Sequence, residues 1–345
     1  MPVLLKSHID AIARAAADWQ APDYPPRTEA AAATLEADNR FTEEALTFAI
    51  NQQMGVLEPD ALANWVDGQH AADAKTVGVL HAGNVPLAGL QDVLAVLLTG
   101  HRYLGKVSSK SPALIPAFID EVKAHAPDLP ARFARFAPSA EAVFSEAGAV
   151  IVTGSDETRQ WATRQAEAHG IPPAARLLRG HRYSAAVIDG EETEEEREDL
   201  AVDALLHEGY GCRNVAVLWA PTGIEADPYF EALAQFRGLF PAHPELPGAL
   251  QMQQAFLEAT DQPHAYADGL AFLVSRGVPE PQRPGHIRWA EYDTLDDVRD
   301  WLRAHQDDLQ VVVARDALAQ QMPDGLRCVP PGQAQRPPLD WQPDG

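Results

Sequence analysis

Cysteine is scarce in this chain: only Cys212 and Cys328 occur among its 345 residues. Two cysteines so far apart in sequence make no disulfide framework, and no C-x-x-C pair or comparable ligand set indicates a metal site. We therefore expect no metal, and a reducing cytoplasm is the simplest location for such a chain.

Long apolar runs are also absent. No stretch approaches the roughly 18 uninterrupted apolar residues that a membrane-spanning helix needs. Residues 1–20 contain Lys6, His8, Asp10 and Arg14 among their apolar residues, which indicates an amphipathic helix rather than a signal peptide. No membrane span is expected.

Basic residues are few relative to acidic ones. The chain has 27 Lys and Arg against 50 Asp and Glu, a formal net charge of −23. Such a charge repels nucleic acid and anionic membrane surfaces, so neither is an expected partner. One hypothesis for the surplus is a salt-rich cytoplasm, which predicts that stability rises between low and molar salt.

The residues that are present indicate an α/β protein. Apolar residues make up 46% of the chain and charged residues 22%, which allows a sizeable core in about two domains. Helical periodicity is expected over residues 1–75, and strand, turn and helix then alternate from Thr76 to Asp189. This alternation predicts a parallel sheet covered by helices, with ligands at the carboxyl ends of its strands. Leu87–Leu98 is predicted as a helix and Ala142–Phe144 as a short strand.

Three domain-level segments are predicted. Residues 1–190 would form N-terminal helices plus a nucleotide-binding domain, residues 191–325 a cysteine-bearing domain, and residues 326–345 a Pro-rich, extended tail. The acidic run Glu191–Asp199 marks the crossing between the first two. We interpret that run as the solvated start of a helix, where carboxylates suit the helix dipole.

Three short motifs follow successive predicted strands. Asn84 could donate its amide to a developing oxyanion, or simply cap the next helix. Lys106 and Ser108 could contact a ribose or phosphate, or lie on a solvated loop. Gly154 and Ser155 open a helix whose N–H groups can bind an anion, although Ser155 can equally be its N-cap. No G-x-G-x-x-G occurs, so the ordinary dinucleotide fingerprint is absent.

A fourth motif, Gly209–Cys212, follows a helix predicted to end at Glu208. Glycines tolerate a sharp turn that would hold Cys212 at the start of a strand, where a thiol can act as a nucleophile. The alternative is a buried cysteine that behaves as a small apolar residue. His207 or Glu208 could serve as a general base or be an ordinary surface group.

The order of these motifs resembles that of the aldehyde dehydrogenase superfamily, and within it the short acyl-CoA reductases related to the fatty-acid reductase subunit of bacterial bioluminescence. The resemblance implies two Rossmann-like parallel-sheet domains with an N-terminal helical segment. It also implies roles for individual residues: Cys212 as nucleophile, Asn84 as oxyanion donor, His207 as an activating group, and Lys106, Ser108, Gly154 and Ser155 as cofactor contacts.

Two departures from the superfamily pattern bear on the reaction. Hydrolytic members carry a Glu-Leu-Gly-Gly-Lys segment whose Glu activates water, whereas Leu178–Arg182 has no carboxylate at its head. The Glu-x-Phe segment that holds the nicotinamide ribose is not evident either. The first departure favours thioester reduction over oxidation of an aldehyde to an acid. Arg179 and Arg182 add local positive charge that could favour an anionic cofactor.

The implied activity is NAD(P)H-dependent reduction of a fatty acyl-CoA to an aldehyde through a Cys212 thioester. NADPH is the favoured cofactor, with NADH the alternative, and coenzyme A would be the leaving thiol of a small-molecule acyl thioester. Family analogy predicts a homodimer. Three alternatives remain open: a small-substrate aldehyde or semialdehyde dehydrogenase, an acyl transferase without hydride chemistry, and a non-catalytic nucleotide-binding protein on the same scaffold.

Overall fold

A computed structural model describes residues 3–69, 71, 73–126 and 134–341. The chain divides into two compact units, Met1–His181 with Pro338–Gly345, and Arg182–Pro337. Each unit contains one sheet whose strands are largely parallel. The predicted α/β class with two parallel sheets is therefore confirmed.

The first unit begins with four helices: α1 (Val3–Gln20), α2 (Pro25–Leu35), α3 (Glu43–Gly55) and α4 (Pro59–Trp65). Trp19 of α1 is fully buried and meets Phe118 edge-on, with ring centroids 5.4 Å apart. His125 Nε2 lies 2.7 Å from Asp18 Oδ2, which links α1 to the later helix that carries Phe118. The N-terminal helical segment is confirmed. Across the described part of the chain, no helix combines the length and apolar content needed to cross a bilayer.

The next elements of this unit are, in chain order, β1 (Thr76–Leu80), α5 (Leu90–Leu98), β2 (Arg102–Lys106), α6 (Leu114–His125), β3 (Ala134–Phe136), α7 (Ala140–Glu146), β4 (Ala149–Thr153), α8 (Asp156–Ala168) and β5 (Arg176–Arg179). The strands form a five-stranded parallel sheet in the order β3-β2-β1-β4-β5. Leu80 pairs with both Lys106 and Val152, so the carboxyl ends of β1, β2 and β4 lie side by side.

Two predicted elements of this unit are wrong. Ala142–Phe144 is not a strand but part of α7, because Ser139 accepts the Ala142 N–H at 3.2 Å and starts a helix there. Helix α5 begins at Leu90 rather than Leu87, because Leu87 has a φ of 56° and Gly89 a φ of 86°. Neither conformation belongs to a right-handed helix.

The strands of the second unit are β6 (Tyr183–Val187), β7 (Val215–Pro221), β8 (His264–Tyr266), β9 (Leu273–Arg276), β10 (His286–Tyr292), β11 (Leu309–Val313) and β12 (Cys328–Val329). They form a seven-stranded sheet in the order β12-β11-β6-β7-β10-β9-β8. Among the pairings of the described strands, only that of the edge strand β8 is antiparallel. The helices are α9 (Glu194–Leu205), α10 (Asp227–Leu239), α11 (Leu246–Ala259), α12 (Leu295–Ala304) and α13 (Asp316–Ala319). Strand β6, placed in the first predicted domain, therefore pairs within this second sheet.

The acidic run at 191–199 starts helix α9, as interpreted from the sequence. Thr193 and Glu196 form a capping box, in which each side chain accepts the backbone N–H of the other residue. Glu192, however, is only 4% exposed and accepts two backbone N–H groups of the preceding turn, each at 3.0 Å. The run is therefore a helix start, but one of its carboxylates is structural rather than solvated.

The described part of the tail is held at two places. Asp203 of α9 accepts the backbone N–H groups of Gly332 at 2.7 Å and Gln335 at 3.2 Å. In the first unit, Gln91 Nε2 donates to the carbonyl oxygens of Leu339 and Trp341 at 2.7 and 2.6 Å. The proline-rich tail is thus tied down by backbone hydrogen bonds rather than by a long strand.

Candidate active site

Cys212 lies in a tight turn that precedes β7. Helix α9 ends at Leu205, three residues earlier than predicted, and a short 3-10 turn covers Leu206–Gly209. His207, Glu208 and Gly209 have φ values of 55°, 59° and 74°. A Cβ on Gly209 would lie 2.8 Å from the backbone nitrogen of Gly285. The predicted sharp turn with close backbone approach is therefore present, and it needs glycine at 209.

The side chain of Asn214 organises this turn, a role that sequence reasoning missed. Asn214 is 2% exposed, and its Oδ1 accepts the Gly211 N–H at 2.8 Å. Its Nδ2 lies 2.8–3.2 Å from three carbonyl oxygens at the end of α9. The available signal was an asparagine between a glycine-rich turn and a strand, since Asn side chains often bond nearby backbone groups.

The Cys212 main chain is fixed from the sheet side as well. Its carbonyl oxygen accepts the hydroxyl of Ser184, a fully buried residue of β6, at 3.0 Å. The Cys212 residue is partly exposed. Cys328 is also partly exposed, but it packs against an apolar cluster, and burial raises the pKa of its thiol. Cys212 therefore sits in a rigid backbone turn, whereas Cys328 belongs to the edge of a core.

His207, the predicted activating group, is neutral at pH 7. Burial lowers the pKa of its imidazole to about 4. Its Nδ1 atom is buried and has no hydrogen-bond partner among the described residues. An imidazole with this pKa takes a proton from a thiol only if its surroundings change when a ligand binds. The activating role of His207 stays a prediction.

Glu208, the alternative base, has a structural role instead. Its two carboxylate oxygens accept the guanidinium of Arg237 at 3.2 and 3.1 Å, and one also accepts the His243 N–H at 3.2 Å. The Glu208 side chain is 4% exposed and that of Arg237 6%. Removing one partner of a buried pair leaves an uncompensated charge, so both are needed to hold this turn.

In the first unit, the other predicted site residues share one sheet edge. Asn84 follows β1, Lys106 ends β2 with Ser108 two residues on, and Gly154 follows β4. Because β2, β1 and β4 are neighbours in the sheet, these motifs meet at its carboxyl edge. That is where open parallel sheets bind ligands, at the point where strand order reverses.

Asn84 does not cap helix α5. Its side chain is exposed in the loop of residues 81–89, and the N-cap position is Gly89. The cap interpretation is therefore wrong, and the loop presents an amide at the sheet edge. The oxyanion role remains a prediction.

Ser108 and Lys106 are partly buried in their loop. Lys106 Nζ donates to the Val107 carbonyl at 2.7 Å, and Ser108 Oγ accepts the Lys110 N–H at 3.2 Å. A Cβ on Gly83 would lie 2.1 Å from Ser108 Oγ, so the two loops touch at a glycine. This contact brings the Asn84 loop and the Lys106–Ser108 loop together.

Ser155 is the N-cap of α8. Its hydroxyl accepts the Thr158 N–H at 3.3 Å, while the Gly154 N–H donates to the Arg179 carbonyl at 3.2 Å. Asp156 and Glu157 lie in the first turn of the helix. The cap interpretation is confirmed, and the two exposed carboxylates oppose an anion at this helix end.

One of the two arginines predicted to supply local positive charge is paired with a carboxylate, and the other bonds a backbone carbonyl. Arg179 Nη1 donates to both carboxylate oxygens of Asp92, at 2.9 and 2.8 Å, with both side chains mostly buried. Arg182 Nη1 donates to the Leu309 carbonyl at 3.3 Å. Lys106 and Arg179 end β2 and β5 at the carboxyl edge of the first sheet, and the charge of Arg179 is paired with Asp92.

Solved structures identify the fold. An NAD-dependent benzaldehyde dehydrogenase from Corynebacterium glutamicum superposes with a TM-score of 0.69 at 15% identity, covering 95% of this chain and 81% of that one. A succinic semialdehyde dehydrogenase from Streptococcus pyogenes, in complex with NADP+, gives a TM-score of 0.66 at 12% identity, covering 95% and 82%. The fold is that of the aldehyde dehydrogenases.

Sequence comparison narrows the family. A long-chain acyl-protein thioester reductase from Aliivibrio fischeri is 31% identical over an alignment of 163 residues, and the match covers 43% of this chain. The matched stretch spans 32% of that relative's length. The family model for acyl-CoA reductase (LuxC) matches residues 2–234, which include every predicted site residue. The chain belongs to the acyl-CoA reductase (LuxC) family.

Proposed function

We propose that this chain reduces an acyl thioester to an aldehyde with a nicotinamide cofactor, through a thioester on Cys212. One observation carries the proposal: the Cys212 turn is fixed from both sides, by Asn214 and by Ser184, and leaves the cysteine partly exposed. Membership of the acyl-CoA reductase family supports the same reaction class.

The acyl transfer would need only groups of this chain. The Cys212 thiolate attacks the thioester carbon, a new carbon–sulfur bond forms, and the bond to the leaving thiol breaks. The leaving thiolate takes up one proton from solvent, which balances the proton that Cys212 released on ionisation, and Asn84 would donate its amide to the oxyanion of the tetrahedral intermediate. A second donor would be the Cys212 backbone N–H.

The nicotinamide cofactor would lie at the carboxyl edge of the first sheet. The residues there fit such a group in part, since Lys106 and Ser108 can bond ribose or phosphate oxygens and α8 offers an N-terminal turn. Asp156 and Glu157 count against a phosphate directly on that turn. When bound, the cofactor supplies the hydride that converts the acyl-enzyme to an aldehyde.

The identity of residue 178, a leucine, favours reduction of the acyl-enzyme over its hydrolysis. Leu178, at the head of the segment that carries a water-activating Glu in hydrolytic relatives, packs against an apolar cluster of the first unit. With no carboxylate at that position, water is not activated there, and the acyl-enzyme persists until it is reduced or returned to a thiol.

The substrate is proposed to be a long-chain acyl-CoA, with an acyl group carried on a protein thiol as the second candidate. The name of the Aliivibrio fischeri relative, a long-chain acyl-protein thioester reductase, favours the second donor. Both donors present the same reacting carbon and sulfur, so they differ in how the leaving thiol is recognised.

Intact-protein mass spectrometry tests the proposal. The protein is mixed with acyl-CoAs of several lengths, or with an acylated carrier protein, and then with NADPH or NADH. We expect an adduct of the acyl mass on the wild type and on Cys328→Ala, none on Cys212→Ala, and loss of the adduct with aldehyde release when the nicotinamide is added.

Other results of this experiment would support one of the three alternative functions. An adduct that no nicotinamide clears would indicate a transferase. Aldehyde oxidation by NAD+ without acylation by either donor would indicate a dehydrogenase of small substrates. No adduct, with equal iodoacetamide labelling of Cys212 and Cys328, would indicate a non-catalytic protein.

A further inference from the structure

His81, the residue directly after β1, has both ring nitrogens bonded. Its Nδ1 lies 3.0 Å from the carbonyl oxygen of Ala88, and its Nε2 lies 2.7 Å from the hydroxyl of Tyr103 on β2. His81 is 9% exposed and Tyr103 1%. The imidazole therefore links the start of the Asn84 loop to its end and to the neighbouring strand.

These partners define one tautomer. A carbonyl oxygen can only accept, so Nδ1 carries the hydrogen. Burial lowers the pKa of His81 and raises that of Tyr103, so both side chains are neutral at pH 7. Nε2 of the neutral ring is then an acceptor, and the Tyr103 hydroxyl donates to it.

The loop end that His81 holds is conformationally unfavourable. Leu87 is 3% exposed and has a φ of 56°, a region that is sterically unfavourable for a residue with a Cβ. Gly89 has a φ of 86°, and a Cβ there would lie 2.4 Å from His81 Nδ1. Strain of this kind persists only where surrounding contacts hold the backbone, and the bond from His81 to Ala88 is one such contact.

His81 is also anchored to the sheet through its main chain. Its backbone N–H donates to the backbone carbonyl of Lys106 at 3.1 Å. A Cβ on Gly105 would lie 1.7 Å from the Tyr103 hydroxyl. Glycines at 89 and 105 therefore leave the space in which the imidazole and the phenol meet, and Asn84 lies between the two loop ends that this contact joins.

We propose that His81, oriented by Tyr103, is a positioning residue for Asn84: it closes the loop of residues 81–89 so that the Asn84 amide is held where an oxyanion forms. This inference rests on the proposed thioester reduction. In that reaction His81 contacts neither substrate nor cofactor, and it affects the rate only by positioning the loop of residues 81–89.

A double-mutant cycle tests the proposal. Tyr103→Phe removes the donor to Nε2 with almost no change of volume, and His81→Gln keeps an amide of similar reach. In acyl-CoA reduction, Tyr103→Phe should lower kcat roughly 10- to 100-fold, since small misplacements of a catalytic group cost that much. His81→Gln should retain more activity than His81→Ala, and the KM for NADPH should stay within about twofold in all three.

Non-additivity separates positioning from general damage. When Asn84 is already replaced by alanine, adding Tyr103→Phe should change kcat by less than about twofold, because the group to be positioned is gone. His101→Gln is the matched control, because His101 lies at the opposite end of β2 and accepts the Lys75 N–H through Nδ1 at 3.2 Å. It should lower the melting temperature without lowering kcat.

A spectroscopic readout is independent of turnover. Nitrogen-15 shifts of His81 should show hydrogen on Nδ1 in both the wild type and Tyr103→Phe, because the Ala88 carbonyl can only accept, whereas the Nε2 resonance should move in the variant, which lacks the hydroxyl that donates to it. Multiplicative effects of Tyr103→Phe and Asn84→Ala, an unchanged kcat in Tyr103→Phe, or hydrogen on Nε2 in the wild type would each overturn the inference. An unchanged kcat in Asn84→Ala would instead show that the oxyanion assignment, and with it the proposed site, is wrong.

Discussion

At the level of single residues, the side chain of Asn214 holds the Cys212 turn in place through four hydrogen bonds to backbone groups. One side chain satisfies a backbone donor of the turn and lies against three backbone acceptors at the end of α9. Such a hub couples the helix end to the cysteine, because the positions of both depend on the same amide.

Asn214→Ala should therefore destabilise the protein by about 3 kcal/mol, since several buried backbone groups lose their partner. It should also slow acylation of Cys212. Urea unfolding and the rate of acyl-adduct formation measure the two effects.

Asn39→Ala is the matched control for that experiment. Asn39 bonds the carbonyl oxygens of Thr34 and Lys110 and the N–H of Phe41, all in the first unit. Its loss should reduce stability without slowing acylation. Equal slowing in both variants would mean that Asn214 has no specific effect on the cysteine.

Among the elements, the N-terminus of α8 can serve two purposes with the same residue. Ser155 caps the helix, and the cap would also face a bound cofactor phosphate if the proposed site is correct. A substitution that keeps the cap but changes the charge can separate these purposes.

Ser155→Asp should leave the free energy of unfolding within about 0.5 kcal/mol, because Asp and Ser are similar N-caps. It should raise the KM for NADPH roughly tenfold, because the added carboxylate repels phosphate. Thr42→Asp, which changes the N-cap of α3 in the same way, should leave that KM unchanged. If both variants behave alike, the α8 terminus does not contact the cofactor.

Helix α9 carries a titrating carboxylate at its contact with the tail. Burial raises the pKa of Asp203 to about 7, although the N–H groups of Gly332 and Gln335 partly offset that effect. The folded state then binds this proton more tightly than the unfolded chain, so the Asp203 contribution to stability falls as pH rises from about 4 to 7. His207 acts in the opposite sense, since its lowered pKa makes the folded state gain stability as pH rises from about 4 to 6.5.

The two effects can be separated with Asp203→Asn. The free energy of unfolding of the wild type, minus that of the variant, should fall by roughly 2–3 kcal/mol between pH 5 and pH 8. Urea titrations at four pH values measure this difference. Parallel pH profiles would show that Asp203 does not titrate in this range.

For the molecule as a whole, the charge of −23 is the dominant electrostatic property. Like charges on the surface repel one another and destabilise a compact state, and salt screens this repulsion as the Debye length falls to about 3 Å at 1 M. The exposed residues Glu194 and Glu195, at the start of α9, contribute to this repulsion.

The melting temperature should therefore rise by on the order of 5 °C between about 0.05 and 1 M NaCl. A variant with Glu36→Gln and Glu258→Gln, which removes two exposed carboxylates at the C-terminal ends of α2 and α11, should be more stable at low salt and gain less from added salt. A flat or falling melting temperature would refute the salt-adaptation hypothesis.

Local patterns were sufficient to predict several features of this protein. Apolar runs bounded by turns located the strands that end at Leu80, Lys106 and Thr153, because a short buried strand has a continuous apolar signature. The order of polar residues after those strands, with Cys212 later in the chain, was enough to place the protein in its family.

Tertiary structure decided what local patterns could not. The Ser139 cap that makes Ala142–Phe144 part of a helix is itself a local signal, three residues away, but other features were not local. His81 acquires its role from Tyr103, 22 residues away, and Asn214 from the end of a helix up to 11 residues before it. Periodicity records which side chains are buried, but the partner that a buried polar group meets depends on how distant segments fold together.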